Sequence, residues 1–100
     1  MPEFQHSVNV QRAKMLGTVL PRAIFRIYTE DLNRDEIEKI VAAEFEDFTE
    51  IPAVGYFHGQ KENSLVIEIV GRVDPAKVEN VAEAIRESNR QQAVMVTEEA

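Results

Sequence analysis

Twice in this chain an apolar run rich in β-branched residues gives way to a helix-start signal, and twice the helix is followed by another extended run. The first run is Ala23-Ile24-Phe25-Arg26-Ile27-Tyr28-Thr29, whose composition reads as a strand. Asn33 follows as a predicted N-cap, with Glu36 three residues on to complete a capping box and Leu32 and Ile37 spaced for a hydrophobic staple. Ile37, Ile40, Val41 and Phe45 recur at helical spacing, so the first helix is expected to bury them and to end near Asp47. A second strand is predicted over 48–57. Pro52 inside it cannot donate to a ladder, which places it at a sheet edge or a bulge.

The second unit repeats the order. Gly59-Gln60-Lys61-Glu62-Asn63 reads as a polar turn, and the strand after it (64–73) carries the run Leu65-Val66-Ile67-Glu68-Ile69-Val70. Asp74-Pro75 is an N-cap followed by proline at the first helical position, where the missing N–H costs nothing. Val78, Val81, Ala82 and Ile85 form one apolar stripe, and a last strand is expected over 92–97. The resulting order, β-α-β-β-α-β, predicts an α+β ferredoxin-like plait: a four-stranded antiparallel sheet with two helices on one face. Right-handed crossovers put the first and third strands in the centre. The expected organisation is an N-terminal arm over 1–22, a folded domain over 23–97 and a frayed end over 98–100.

Charge and composition narrow the function. The arm carries +2 and the other 78 residues −9, within a net charge of −7. Clustered positive charge is what a phosphate-backbone binder needs, so nucleic acid is not an expected partner. An RNA-recognition reading also lacks its stacking platform, because the strand Leu65–Val70 has no aromatic residue. The absence of cysteine excludes disulfides, a thiolate nucleophile and a Cys-ligated zinc. Two histidines offer no metal site, and no cofactor is expected. No apolar run approaches a membrane span, and no secretory leader pattern is visible, so a cytoplasmic protein without membrane contact is expected.

Alternation along the strands assigns Phe25, Ile27, Leu65, Ile67 and Ile69 to the helix side. It leaves Ile24, Arg26, Tyr28, Val66, Glu68 and Val70 on the open face. In the last strand the register of Val94 and Val96 against Ala93, Met95 and Thr97 stays undecided. An open face this apolar is expected to be covered, either by a second copy meeting at Ile24, Tyr28, Val66 and Val70 or by the basic arm. Arg26 and Glu68 would then need each other, since a buried lone charge is costly.

Candidate chemistry is sparse. A histidine beside a carboxylate can act as a general base, and an arginine can clamp an anion, which singles out His58, Glu68, Arg26 and Tyr28, with Glu62 nearby. The plainer reading makes His58 and Glu62 turn residues and Arg26–Glu68 a structural pair. Gly59 supplies positive φ at the turn and Gly55 relieves a bulge near Pro52. The acidic first helix (Asp35, Glu38, Glu46) is either a solvated face or a set of carboxylates offered to a basic protein partner.

The stretch from Gly55 to Ile69, followed by Asn89-Arg90-Gln91-Gln92-Ala93-Val94-Met95-Val96, resembles a group of small ferredoxin-like proteins of uncharacterised role, often encoded by phages and other mobile elements. The shared pattern is a glycine, an aromatic pair, a second glycine, a glutamate before the third strand and a glutamine before the last. The group carries Trp where this chain has Phe57. The resemblance implies a compact plait and brings no catalytic residues. Beside it, Gln92 is placed to bond free backbone groups where the last strand enters the sheet, and Glu62 to brace the hairpin. The expectation from sequence is a non-enzymatic module that self-associates as a dimer through its sheet and binds another macromolecule, as a mobile-element accessory protein would. The alternative is a small dimeric α+β-barrel-type enzyme or small-ligand binder, using Arg26, Tyr28, His58 and Glu68 around an enclosed pocket.

Overall fold

The computed structural model describes residues 20–100. In chain order the elements are β1 (Ala23–Glu30), α1 (Arg34–Ala42), β2 (Thr49–Phe57), β3 (Gln60–Gly71), α2 (Pro75–Asn89) and β4 (Met95–Glu99). The sheet order is β2-β3-β1-β4 with every pairing antiparallel, so the two apolar runs are central as the plait requires. The expected arm lies, up to residue 19, outside the described residues. Its last part is held in one place: the Arg72 guanidinium donates to the Leu20 carbonyl at 2.8 Å.

The helix-side face matches the alternation. Phe25, Ile27, Leu65, Ile67 and Ile69 are buried and join Ile37, Val41, Phe45, Val78, Val81, Ile85 and Val96 in one core. Each such side chain gains roughly 1.5–3 kcal/mol by leaving water, the main force holding the helices to the sheet. Val96 settles the open register of the last strand: it faces the helices, while Met95 and Thr97, opposite Tyr28 and Arg26, take the other face.

Several local expectations are corrected. Asn33 sits in the left-handed region (φ 55°) and its side chain caps nothing. Asp31 instead ties the turn, accepting from Arg34 Nε at 3.2 Å and from Arg34 Nη2, and Leu32 is left exposed rather than stapled to Ile37. The helix stops at Ala42, short of Asp47, because Glu44 and Phe45 N–H groups both turn back onto the Val41 carbonyl and drop Phe45 into the core. The β2–β3 link is only His58-Gly59, both at positive φ (54° and 75°), as a two-residue type I′ hairpin turn demands. Residues 60–63, expected as turn, are strand. No bulge surrounds Pro52, since the β2–β3 register runs unbroken from Thr49↔Glu68 to Phe57↔Gln60. Pro52 lies on the edge strand, where its missing N–H is harmless.

Asp74 behaves as expected, its carboxylate accepting from the Ala76 N–H at 2.9 Å with Pro75 opening the helix. At the far end α2 closes on Arg90 in the left-handed conformation (φ 55°), and the Gln91 N–H returns to the Arg86 carbonyl at 2.9 Å, a Schellman-type stop. β4 begins at Met95 rather than residue 92 and runs through Glu99, where it pairs with Ile24. Glu98 and Glu99, expected to fray, are therefore strand residues.

Candidate functional site

β3 is 12 residues long but pairs with β1 only over Ser64–Gly71. Beyond Ser64 the β2–β3 hairpin projects past the end of β1, and the segment between α2 and β4 rises on the other side. Between them lies a cleft of about 460 Å³ at the end of the open sheet face. Its floor and sides are Tyr28, Val66 and Met95 from the sheet, Ala53, Gly55, Tyr56 and Phe57 from β2, and Leu32. Its ionisable groups are Glu30, Glu62 and Arg90, and its amides are Asn89, Gln91 and Gln92.

The register explains how these side chains meet. Tyr28 is opposite Val66 on one side and Met95 on the other, and Glu30 is opposite Ser64. Gly55 is opposite Glu62, and a Cβ at Gly55 would lie 2.6 Å from the Ser64 hydroxyl oxygen. Any side chain at position 55 would thus have to displace the Ser64 hydroxyl. Val66 is 8% exposed although it lies on the open face.

The wall formed by the α2–β4 segment is pinned by one side chain. β4 does not reach Glu30, so the Glu30 N–H has no strand partner on that side, and the Gln91 carboxamide oxygen accepts from it at 3.0 Å. The Gln91 Nε2 donates to the Thr29 hydroxyl at 2.6 Å, and that hydroxyl donates to the Glu30 carbonyl at 3.1 Å. The bond to a free backbone group that was expected of Gln92 is made by Gln91. The left-handed turn at Arg90 sends residue 91 inward and leaves residue 92 exposed. The sequence showed the glutamine pair; which member turned inward depended on Arg90 adopting a conformation that sequence reasoning reserves for glycine or asparagine.

Electrostatically the cleft is acidic and partly dry. Burial raises the Glu62 carboxyl above the usual glutamate range, and the nearby Glu30 carboxylate raises it further. Asn89 carries both carboxamide atoms out of contact with solvent and without a hydrogen-bond partner among the described residues. Buried amide atoms left unpaired cost about 1–3 kcal/mol each, which a ligand with a matching donor–acceptor edge would recover.

The four residues singled out for chemistry do not converge. Tyr28 lines the cleft. His58 sits at the hairpin tip, exposed and edge-on to Phe57 with ring centres 4.7 Å apart. Arg26 and Glu68 lie further down the sheet, paired through Nε–Oε2 at 3.0 Å. Glu99 takes the other side of the same guanidinium, a partner not foreseen, and the two carboxylates (Glu99 first, then Glu68) raise the Arg26 pKa. Neither His58 nor Glu68 lines the cleft. The residues expected at an interface divide likewise: Tyr28 and Val66 belong to the cleft, Ile24 is half-buried and Val70 is 44% exposed. On the acidic helix, Asp35 and Glu46 are exposed. Glu38 is half-buried and acts on Glu50 of β2, whose carboxyl is raised first by burial and then by its interaction with Glu38. Among the described residues no cluster of His, Asp or Glu is arranged to hold a metal, and no helix is long and apolar enough to cross a membrane.

No protein-family model and no curated protein matches the chain. Solved structures of the same fold do. A phage SAM lyase in complex with S-methyl-5′-thioadenosine superposes with a TM-score of 0.64 at 20% identity, covering 84% of this chain and 86% of its own. A phage SAM lyase in its apo state superposes with the same TM-score at 21% identity, covering 77% and 78%. The phage origin of these neighbours agrees with that part of the sequence resemblance. The same finding overturns the expectation of a non-enzymatic module built to bind another macromolecule, and turns the reading to its enzyme alternative.

Proposed function

We propose that the chain is a small lyase acting on an adenosyl sulfonium, with the cleft between the β2–β3 hairpin and the α2–β4 segment as its substrate site. The observation that carries this reading is the content of the cleft: an apolar, aromatic floor with two carboxylates, Glu30 and Glu62, at its side. Aromatic faces and carboxylates are what a flat purine carrying a sulfonium charge needs. The likeness in fold to the SAM lyases supports the choice of ligand. Cleavage to S-methyl-5′-thioadenosine breaks a carbon–sulfur bond, and the bonding pair leaves with sulfur as a neutral thioether. A lyase adds no water, so the four-carbon remainder restores its balance internally, through its own carboxylate or by giving up a proton.

That reaction consumes a positive charge, and low polarity favours it: Val66, Ala53, Leu32 and Met95 supply the apolar lining. Glu62, its carboxyl pushed up by burial, is placed to stand against the sulfonium or to take the proton. The substrate is a cytoplasmic metabolite, so the protein works in that compartment. The full chain incubated with S-adenosylmethionine is expected to release S-methyl-5′-thioadenosine, followed by chromatography and mass spectrometry, with Glu62→Gln and Tyr28→Ala slowed at least tenfold. A folded protein that leaves S-adenosylmethionine intact would refute the reading.

Self-association belongs to the same proposal. Ile51 and Val70 are 42% and 44% exposed on the open face below the cleft, an apolar surface that a second copy can cover. Light scattering should report an oligomer that Val70→Glu dissociates; a wild-type monomer at micromolar concentration removes this part.

A further inference from the structure

We infer that Arg90 binds the α-carboxylate of the substrate, so that the cleft selects an adenosyl sulfonium bearing an intact amino acid over one that has lost it. This rests on the proposed function above and extends it from the nucleoside to the other end of the ligand. Three observations converge on the arginine. Arg90 is the one cationic residue among those lining the cleft, where Glu30 and Glu62 supply the negative charge. Its guanidinium has no hydrogen-bond or ion-pair partner among the described residues, whereas Arg26, Arg34 and Arg86 are each paired with carboxylates. And it holds a left-handed backbone conformation (φ 55°) at the helix end, where glycine or asparagine is the residue that stability favours.

The charge pattern is therefore bipolar. An amino-acid sulfonium offers two cationic groups and one anion, and the cleft offers two carboxylates and one guanidinium. The guanidinium presents donors in a planar fork that matches a carboxylate. The strained turn that displays Arg90 at the rim also sends Gln91 into the wall, so the same backbone geometry builds the cleft and sets its cation beside it.

The test is calorimetric titration of the full chain with two uncleavable ligands. Sinefungin keeps the amino-acid end; S-methyl-5′-thioadenosine has none. Arg90→Gln is expected to weaken sinefungin about tenfold or more, the worth of a charge-assisted contact, while S-methyl-5′-thioadenosine stays within about twofold. Arg90→Gly, which relieves the backbone strain and so keeps the fold, should show the same selective loss. Equal weakening of both ligands, or of neither, overturns the role of Arg90 while leaving the adenosyl site standing. A wild-type chain that binds neither ligand overturns the site and the arginine together.

Discussion

Replacing Gln91 with alanine removes two hydrogen bonds that no neighbour can restore. The Glu30 N–H loses its acceptor at 3.0 Å, and the Thr29 hydroxyl, in a residue only 3% exposed, loses the donor at 2.6 Å. A net hydrogen bond between neutral groups contributes about 1 kcal/mol, and a donor left buried costs somewhat more. The Thr29 hydroxyl keeps its own bond to the Glu30 carbonyl, and water can reach the cleft wall, so the two losses together come to about 2 kcal/mol. For a domain of this size that lowers the melting temperature by roughly 8–16 °C. The control is the adjacent residue: Gln92 is exposed and makes no such contact, so Gln92→Ala should stay within about 0.5 kcal/mol of wild type. Urea unfolding followed by circular dichroism measures both. If Gln91→Ala costs less than about 0.5 kcal/mol, or no more than Gln92→Ala, the claim that this carboxamide pins the wall is wrong.

Other consequences are equally direct. His58→Asn places a residue suited to positive φ beside Gly59 and should stabilise the chain by about 0.5–1 kcal/mol in thermal melts; a destabilised variant would mean His58 is held by more than its turn. Gly55→Ala brings a methyl against the Ser64 hydroxyl, whereas Ser64→Ala clears that space, because the next atom is at 3.7 Å. The double variant should therefore recover about 1 kcal/mol relative to the sum of the singles, and simple additivity would count against the close contact. Glu50, raised by burial and by Glu38, binds its proton more tightly folded than unfolded. Stability should accordingly fall as pH rises from about 4.3, the ordinary glutamate value, to the raised folded value, and Glu50→Gln should flatten that slope in melts taken across it.

The fold was legible because strand alternation and helix spacing are read from residue types alone. Phe25, Ile27, Leu65, Ile67 and Ile69 are apolar at alternate positions, and Pro52 marked its own edge. The candidate site was not legible in the same way. Arg26 and His58 have the chemistry of a site but lie outside the cleft: one is held between Glu68 and Glu99, the other tops a turn. Arg90, Asn89 and Gln91 have the position because a helix ends in an unfavourable backbone conformation, and no composition rule assigns that to an arginine. Val66 makes the same point for packing. Its place on the open face was read correctly, but the hairpin beyond it encloses that spot without a second copy.

The hairpin that walls the cleft pairs only with itself beyond Asn63, whose carbonyl takes a last bond from the Asp31 N–H at 2.9 Å. Its length is thus free of the core. Adding or removing residues in matched pairs on both strands would raise or lower the rim while every inward side chain stays inward; a change of one would invert them all. Pocket depth in this scaffold can be retuned two residues at a time, with the helices and central strands taking no part in the adjustment.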